Sequence, residues 1–292
     1  MKANRADLLR LHLAVAGFGF AGVLGQLIGL SPVVLVAGRA GFAALAIALA
    51  HLLSGRARAL RPRAGDLPGL ALGALLAVHW VTFFQSVQLA GVGPALVSFS
   101  VSPILLLGME ALGRRRWPGP RPALASLAAL AGIWILVPSF RWSEASTRGL
   151  AWGLASGWTY ALLVLANRPL VRARGSSWTL AMGQNAVAAL VLCPFLTVPA
   201  GHPTAGEWGL LAGLGVGFTA ATHGLFLQSI RTVPAHLAVL TCTLEPGYGM
   251  LAAAAILGER PAPRTLLGAA LIAGAVLAAT LAPPGKESGG TV

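Results

Sequence analysis

Apolar residues run through this chain in long stretches, broken at intervals by short clusters of Gly, Pro and Arg. A helix needs about 20 mostly apolar residues to cross a bilayer. By that measure ten spans are expected, at 8–28, 32–53, 67–90, 94–113, 121–138, 148–170, 177–199, 206–229, 234–257 and 263–282. The breaks are turn-like: Gly29-Leu30-Ser31-Pro32, Gly91-Val92-Gly93-Pro94, Pro199 through Pro203, and Pro261-Ala262-Pro263. A proline just past a break suits the first turn of the next helix, where its missing N–H costs nothing. The expected fold class is an all-α integral membrane protein.

The second half of the chain repeats the first. Phe83-Phe84-Gln85-Ser86-Val87 returns as Phe226-Leu227-Gln228-Ser229-Ile230, and Pro103 returns as Pro246, both 143 residues on. Ala131-Gly132 returns as Ala273-Gly274 and Gly38 as Gly183, at nearly the same offset. Five spans per copy is an odd number, so the copies would sit in opposite orientations around a central cavity, an arrangement common among secondary transporters. The expected division is residues 1–145, then 146–283, with 284–292 a disordered cytoplasmic tail.

Composition agrees with a membrane solvent: 56% hydrophobic residues, 10% charged and a mean hydropathy of +0.77. A soluble domain carries about 25% charged residues. The net charge of +13 comes from arginines spread over short loops rather than gathered on one face. With the N-terminus inside, 16 of the 21 basic residues fall on the cytoplasmic side; Arg141, Arg148, Arg260 and Arg264 fall opposite, and Arg39 lies within a span. Such asymmetry sets orientation, and contact with anionic headgroups accounts for the charge better than nucleic acid does. Cys193 and Cys242 both sit in apolar stretches and suggest packing rather than a disulfide framework. No cleavable leader is apparent after the basic start, so the first span is expected to remain.

Leu244-Glu245-Pro246, Leu257-Gly258-Glu259-Arg260 thirteen positions on, and the Gly/Ala-rich stretch Gly268 to Ala278 resemble the EamA-type carriers of the drug/metabolite transporter superfamily. The first copy keeps Pro103 but has Met109-Glu110-Ala111-Leu112-Gly113-Arg114 where a Leu-Gly-Glu would be expected. Within that superfamily, His79-Trp80 and Trp158-Thr159-Tyr160 look most like the aromatic amino acid exporters of the YddG type. The resemblance implies ten helices, export of amino acids or related metabolites by alternating access, a bacterial inner membrane, and both termini in the cytoplasm. Net direction, coupling and oligomeric state stay open, and a monomer is compatible.

Polar side chains inside a bilayer are costly and usually face the bundle interior or water. Helical spacing groups them into stripes. His79, Thr82 and Ser86 share one; Ser156, Tyr160 and Asn167 another; Thr219, Thr222 or His223, and Phe226 a third; Thr241, Glu245 and Tyr248 a fourth. The candidate substrate contacts are His79, Trp80, Phe83, Ser98, Ser102, Trp158, Tyr160, Gln184, Thr241, Glu245 and Tyr248. Trp80, Trp158 and Tyr160 are expected to form an aromatic wall. Arg39, His79 and Glu245 are candidates for charge pairing or proton coupling, with Glu245 and Arg39 as possible partners of each other. Pro103 and Pro246 are the expected kinks. For each lone Ser or Thr the alternative is a bond back to its own helix.

Catalytic chemistry has no visible basis. The chain lacks a P-loop, HExxH, CxxC or GxSxG sequence, and its six histidines are scattered, so neither cofactor nor metal is expected. The rival readings are the same fold with another cargo (a drug, sugar derivative or nucleotide precursor) and a membrane-embedded lipid enzyme. The last would need a reactive cluster that Glu110 and Glu245, isolated from each other in sequence, do not suggest.

Overall fold

The structure is a computed structural model describing residues 4–60, 64–114, 120–136, 145–173, 176–196, 203–257 and 263–281. The expected disordered tail and the Gly258-Glu259-Arg260 motif lie outside these residues. The described residues are helical, with no strand. The helices are α1 Arg5–Leu27, α2 Pro32–Leu53, α3 Leu67–Ala90, α4 Val92–Phe99, α5 Ser102–Arg114, α6 Pro120–Leu136 and α7 Ala145–Ala173. They continue as α8 Ser177–Leu192, α9 Ala205–Gly215, α10 Ala221–Ser229, α11 Ala235–Cys242, α12 Glu245–Leu257 and α13 Pro263–Leu281. Among the described residues, seven apolar segments are long enough to cross a membrane, and three shorter apolar helices accompany them.

Helix starts follow local chemistry. Ser31 caps α2, its hydroxyl accepting from Val34 N–H, with Pro32 at the first position. Thr204 and Glu207 form a reciprocal capping box at α9. Gly91, at φ +85°, makes the tight turn between α3 and α4 that a residue with a side chain would resist.

The expected fourth and ninth spans are each broken rather than merely kinked. Helix α4 has 8 residues and α5 has 13; α11 and α12 repeat those lengths at the 143-residue offset. Proline explains the position. Its ring clashes with the carbonyl four residues back and offers that carbonyl no N–H. Four residues before Pro103 is Phe99, where α4 ends, and four before Pro246 is Cys242, where α11 ends. The sequence repeat is therefore a repeat of backbone structure here.

Helix α3 lies against α7 and α8, α1 against α10 and α12, and α2 against α8 and α9. Helices α6 and α13, the nearly nonpolar fifth and tenth spans, pack mainly on one another. Gly19 permits a close approach: a Cβ there would stand 2.9 Å from the Glu245 carbonyl oxygen and 2.8 Å from the Gly249 nitrogen. That contact presses α1 onto the first turn of α12.

Candidate functional site

A cavity of about 60 Å³ lies between the two halves of the chain. Its walls come from α1 (Phe18, Ala21), α2 (Arg39), α3 (Leu76, His79, Trp80, Phe83, Phe84) and the end of α4 (Phe99). The second half supplies Tyr160, Leu163, Val164 and Asn167 of α7, His223, Phe226 and Leu227 of α10, and Glu245 at the start of α12. Both helix breaks thus abut it. The repeat reaches the site as well: Trp80 and His223, Phe83 and Phe226, Phe84 and Leu227 are each 143 residues apart, and all six line the cavity. Trp80 and His223 meet edge to face, with ring centroids 5.8 Å apart.

Two charge-bearing groups face this space. Arg39, 3% exposed, sits with its guanidinium carbon 4.5 Å from the Trp80 ring centroid and 5.1 Å from that of Phe84. Stacking on aromatic faces suits a guanidinium, whose planar charge is weakly hydrated. Its Nε donates to Thr219 Oγ1 at 2.9 Å. Glu245, 4% exposed, lines the wall formed by α12. The sequence suggested these two as partners, but among the described residues no ion pair joins them. Each is left facing the cavity, because they sit on α2 and α12, helices that touch little.

His79 is fixed across helices. Its Nδ1 lies 3.1 Å from the Ser156 carbonyl oxygen, which can only accept, so Nδ1 carries the proton and Nε2 is left as an acceptor. Ser156 Oγ lies 3.0 Å from the same nitrogen and donates to the His79 carbonyl at 3.2 Å. His223 is oriented the opposite way. Asn185 Nδ2 donates to its Nδ1 at 2.9 Å, which places the ring proton on Nε2. Tyr160 stacks obliquely on His79, Phe99 and Phe226, and its hydroxyl meets Cys242 Sγ at 2.9 Å.

The structure brings together Arg39, His79, Trp80, Phe83, Tyr160 and Glu245 from the sequence candidates. The others lie elsewhere. Ser98 and Thr241 bond back to carbonyls of their own helices, Ser98 to Pro94 and Ala95, Thr241 to Leu237. Ser102 is fully buried with an unpartnered hydroxyl and does not line the cavity. Gln184 is buried between helices, donating to Asn167 Oδ1 at 2.6 Å and to the Gly69 carbonyl at 3.2 Å. Tyr248 packs at the core's edge. Trp158 is 51% exposed on the outer face and takes no part in the aromatic wall. Sequence reasoning left Phe18, Phe84, Phe99, Asn167, His223 and Phe226 out of the candidate set. Asn167, His223 and Phe226 were visible as members of stripes, but nothing marked Phe18 or Phe99.

No group of His, Cys, Asp and Glu able to hold a metal ion occurs among the described residues. The long apolar helices define a multi-pass integral membrane protein. Residues 147–281, in the second half of the chain, match the EamA-like transporter family. Two Bacillus subtilis (strain 168) proteins are similar over longer stretches. "Uncharacterized transporter YwfM" is 25% identical over 71% of this chain and 71% of its own. "Uncharacterized transporter YxxF" is 22% identical over 93% of this chain and 88% of its own. A solved crystal structure, 19% identical, shares the fold with a TM-score of 0.75 over 96% of this chain and 99% of that one.

Proposed function

We propose that this protein is an EamA-type secondary carrier that exports amino acids, with aromatic or other neutral side chains, across the bacterial inner membrane by alternating access. The observation that carries the reading is the cavity's chemistry: one guanidinium and one carboxyl group, not paired with each other, set among seven Phe, Trp and Tyr side chains. A zwitterion matches that layout, its carboxylate going to Arg39, its ammonium to Glu245 and its side chain to the rings of Trp80, Phe83 and Tyr160. Transporters place substrate sites of this kind near the bilayer midplane between repeats. The two halves, 1–145 and 146–283, are then inverted repeats of five spans each, with both termini in the cytoplasm.

A cavity of about 60 Å³ holds a few waters, whereas a benzene-sized guest needs about 150 Å³. The cavity as described is therefore too small for an aromatic amino acid, and loading requires the walls to part. The breaks before Pro103 and Pro246 are the natural places, because the backbone there carries fewer helical hydrogen bonds. A second reading, a planar organic cation as cargo, is favoured by Glu245 among aromatic rings and opposed by the guanidinium in the same wall.

Efflux of labelled amino acids from proteoliposomes, with and without an imposed pH gradient, tests the proposal. Saturable movement of Trp or Phe is expected, sharply reduced by His79→Ala and unaltered by Trp158→Ala at equal membrane expression. An effect of the pH gradient would assign proton carriage to Glu245 or His79, and its absence would indicate facilitated diffusion. Movement of organic cations with none of amino acids would replace this reading with the second.

A further inference from the structure

Between α9 and α10 the chain makes a π-turn, Val216–Ala220, in the middle of the eighth apolar segment. Such turns are rare and gather at functional sites. The sequence around it, Gly213-Leu214-Gly215-Val216-Gly217, is rich in glycine, which lowers the cost of leaving regular helix geometry. Gly215 also brings this segment against α2: a Cβ on it would stand 2.7 Å from the carbonyl oxygen of Arg39 and 2.5 Å from Phe42 Cβ. The segment leading into the π-turn thus packs on the α2 backbone at Arg39.

One side chain on that turn behaves unlike its counterparts. Thr82, Thr159, Thr222 and Thr241 each donate to the carbonyl four residues back, as hydroxyls in a regular helix do. Thr219 donates to the carbonyl of Leu214, five back, at 2.8 Å. With its proton spent there, Thr219 Oγ1 can only accept from Arg39, and it does so from Nε at 2.9 Å. The result is a directed chain, Arg39 Nε–H to Thr219 O–H to the Leu214 carbonyl. It holds the guanidinium by its inner nitrogen and leaves the outer edge, two N–H-bearing nitrogens, for a ligand. That edge is the planar fork that matches a carboxylate.

We infer that Thr219, set by the π-turn, is a positioning residue that aims the Arg39 guanidinium into the cavity and so confers preference for a carboxylate over a neutral group. This rests on the amino acid reading of the same cavity. Thr219 is fully buried and does not line the cavity, so its part is played through Arg39. Without the hydroxyl, the guanidinium keeps its aromatic neighbours but loses the bond that fixes its rotation about them.

The test compares binding of L-phenylalanine and L-phenylalaninamide to the purified full chain in detergent, for wild type, Thr219→Val and Thr219→Ser. The amide keeps the ammonium and the ring and lacks only the carboxylate. Wild type is expected to prefer the acid. Thr219→Val, close in volume, should weaken acid binding about tenfold while leaving the amide unaltered, and Thr219→Ser should restore the preference. A purely structural role would weaken both ligands together. Thr219→Ala serves as a second hydroxyl-free variant should the valine fail to fold. An undiminished acid preference in the hydroxyl-free variants overturns the positioning role and leaves the amino acid reading standing. Equal wild-type affinity for the two ligands overturns it as well, since Arg39 then confers no preference. Binding of neither by folded wild type overturns the cargo reading and this inference together.

Discussion

The clasp between His79 and Ser156 yields a prediction with a defined magnitude, because each side chain makes two of its three contacts and they share only one. Ser156 Oγ meets both Nδ1 and the carbonyl oxygen of His79; His79 Nδ1 meets both Oγ and the carbonyl oxygen of Ser156. Ser156→Ala removes the first two, and His79→Leu removes the two made by Nδ1. Only the Oγ–Nδ1 contact is lost in both variants. Interhelical hydrogen bonds between membrane helices average about 0.6 kcal/mol and reach about 1.7. Two of them put Ser156→Ala at about 1.2 kcal/mol of destabilisation. His79→Leu should cost more, since the ring also leaves Phe99 and Tyr160, whose centroids lie 5.8 and 5.3 Å away. The coupling energy of the double-mutant cycle should nonetheless be only about 0.6 kcal/mol, the worth of the one shared contact. Reversible unfolding of the four proteins in mixed micelles measures it. A coupling above about 1.7 kcal/mol, or a Ser156→Ala variant as stable as wild type, would refute the geometry from which this was derived.

Two other substitutions probe how the cavity is framed. Gly19→Leu should destabilise by about 1–3 kcal/mol, the usual cost of overpacking, and Gly19→Ala by less; unfolding measurements rank them, and equal stability of all three would contradict the α1–α12 contact. Pro246→Ala restores an N–H toward the Cys242 carbonyl, so the α11–α12 break should tighten and its amides exchange more slowly with deuterium, with transport reduced at unchanged expression. Faster exchange at 242–246 would show that the break has another cause.

Much of this fold can be read from residue order, for reasons that are local. Some twenty apolar residues in a row can satisfy their backbone in a bilayer only as helix, and the described helices overlap the predicted spans, α1 starting three residues early and α7 running three residues past each end. Even the broken segments were within reach: a proline disables the carbonyl four residues back, and that rule alone dates the ends of α4 and α11 to Phe99 and Cys242. One misplacement was likewise avoidable. Trp158 and Tyr160 are two residues apart, about 200° around a helix, so they could not share a wall; Tyr160 faces in and Trp158 out. What packing alone decided is which stripe of each helix turns inward and what it meets there. Ser98 and Thr241 look in sequence like cavity residues, yet each satisfies itself on its own helix, a choice that depends on rotamer and neighbours. Phe18 and Phe99 carry no local mark of function and join the site because α1 and α4 happen to border it. Arg39 and Glu245 invite pairing on charge alone, and only their placement on α2 and α12 keeps them unpaired and facing the cavity. Helical periodicity specifies the angle between side chains on one helix, whereas the relation between helices is a property of the packed bundle.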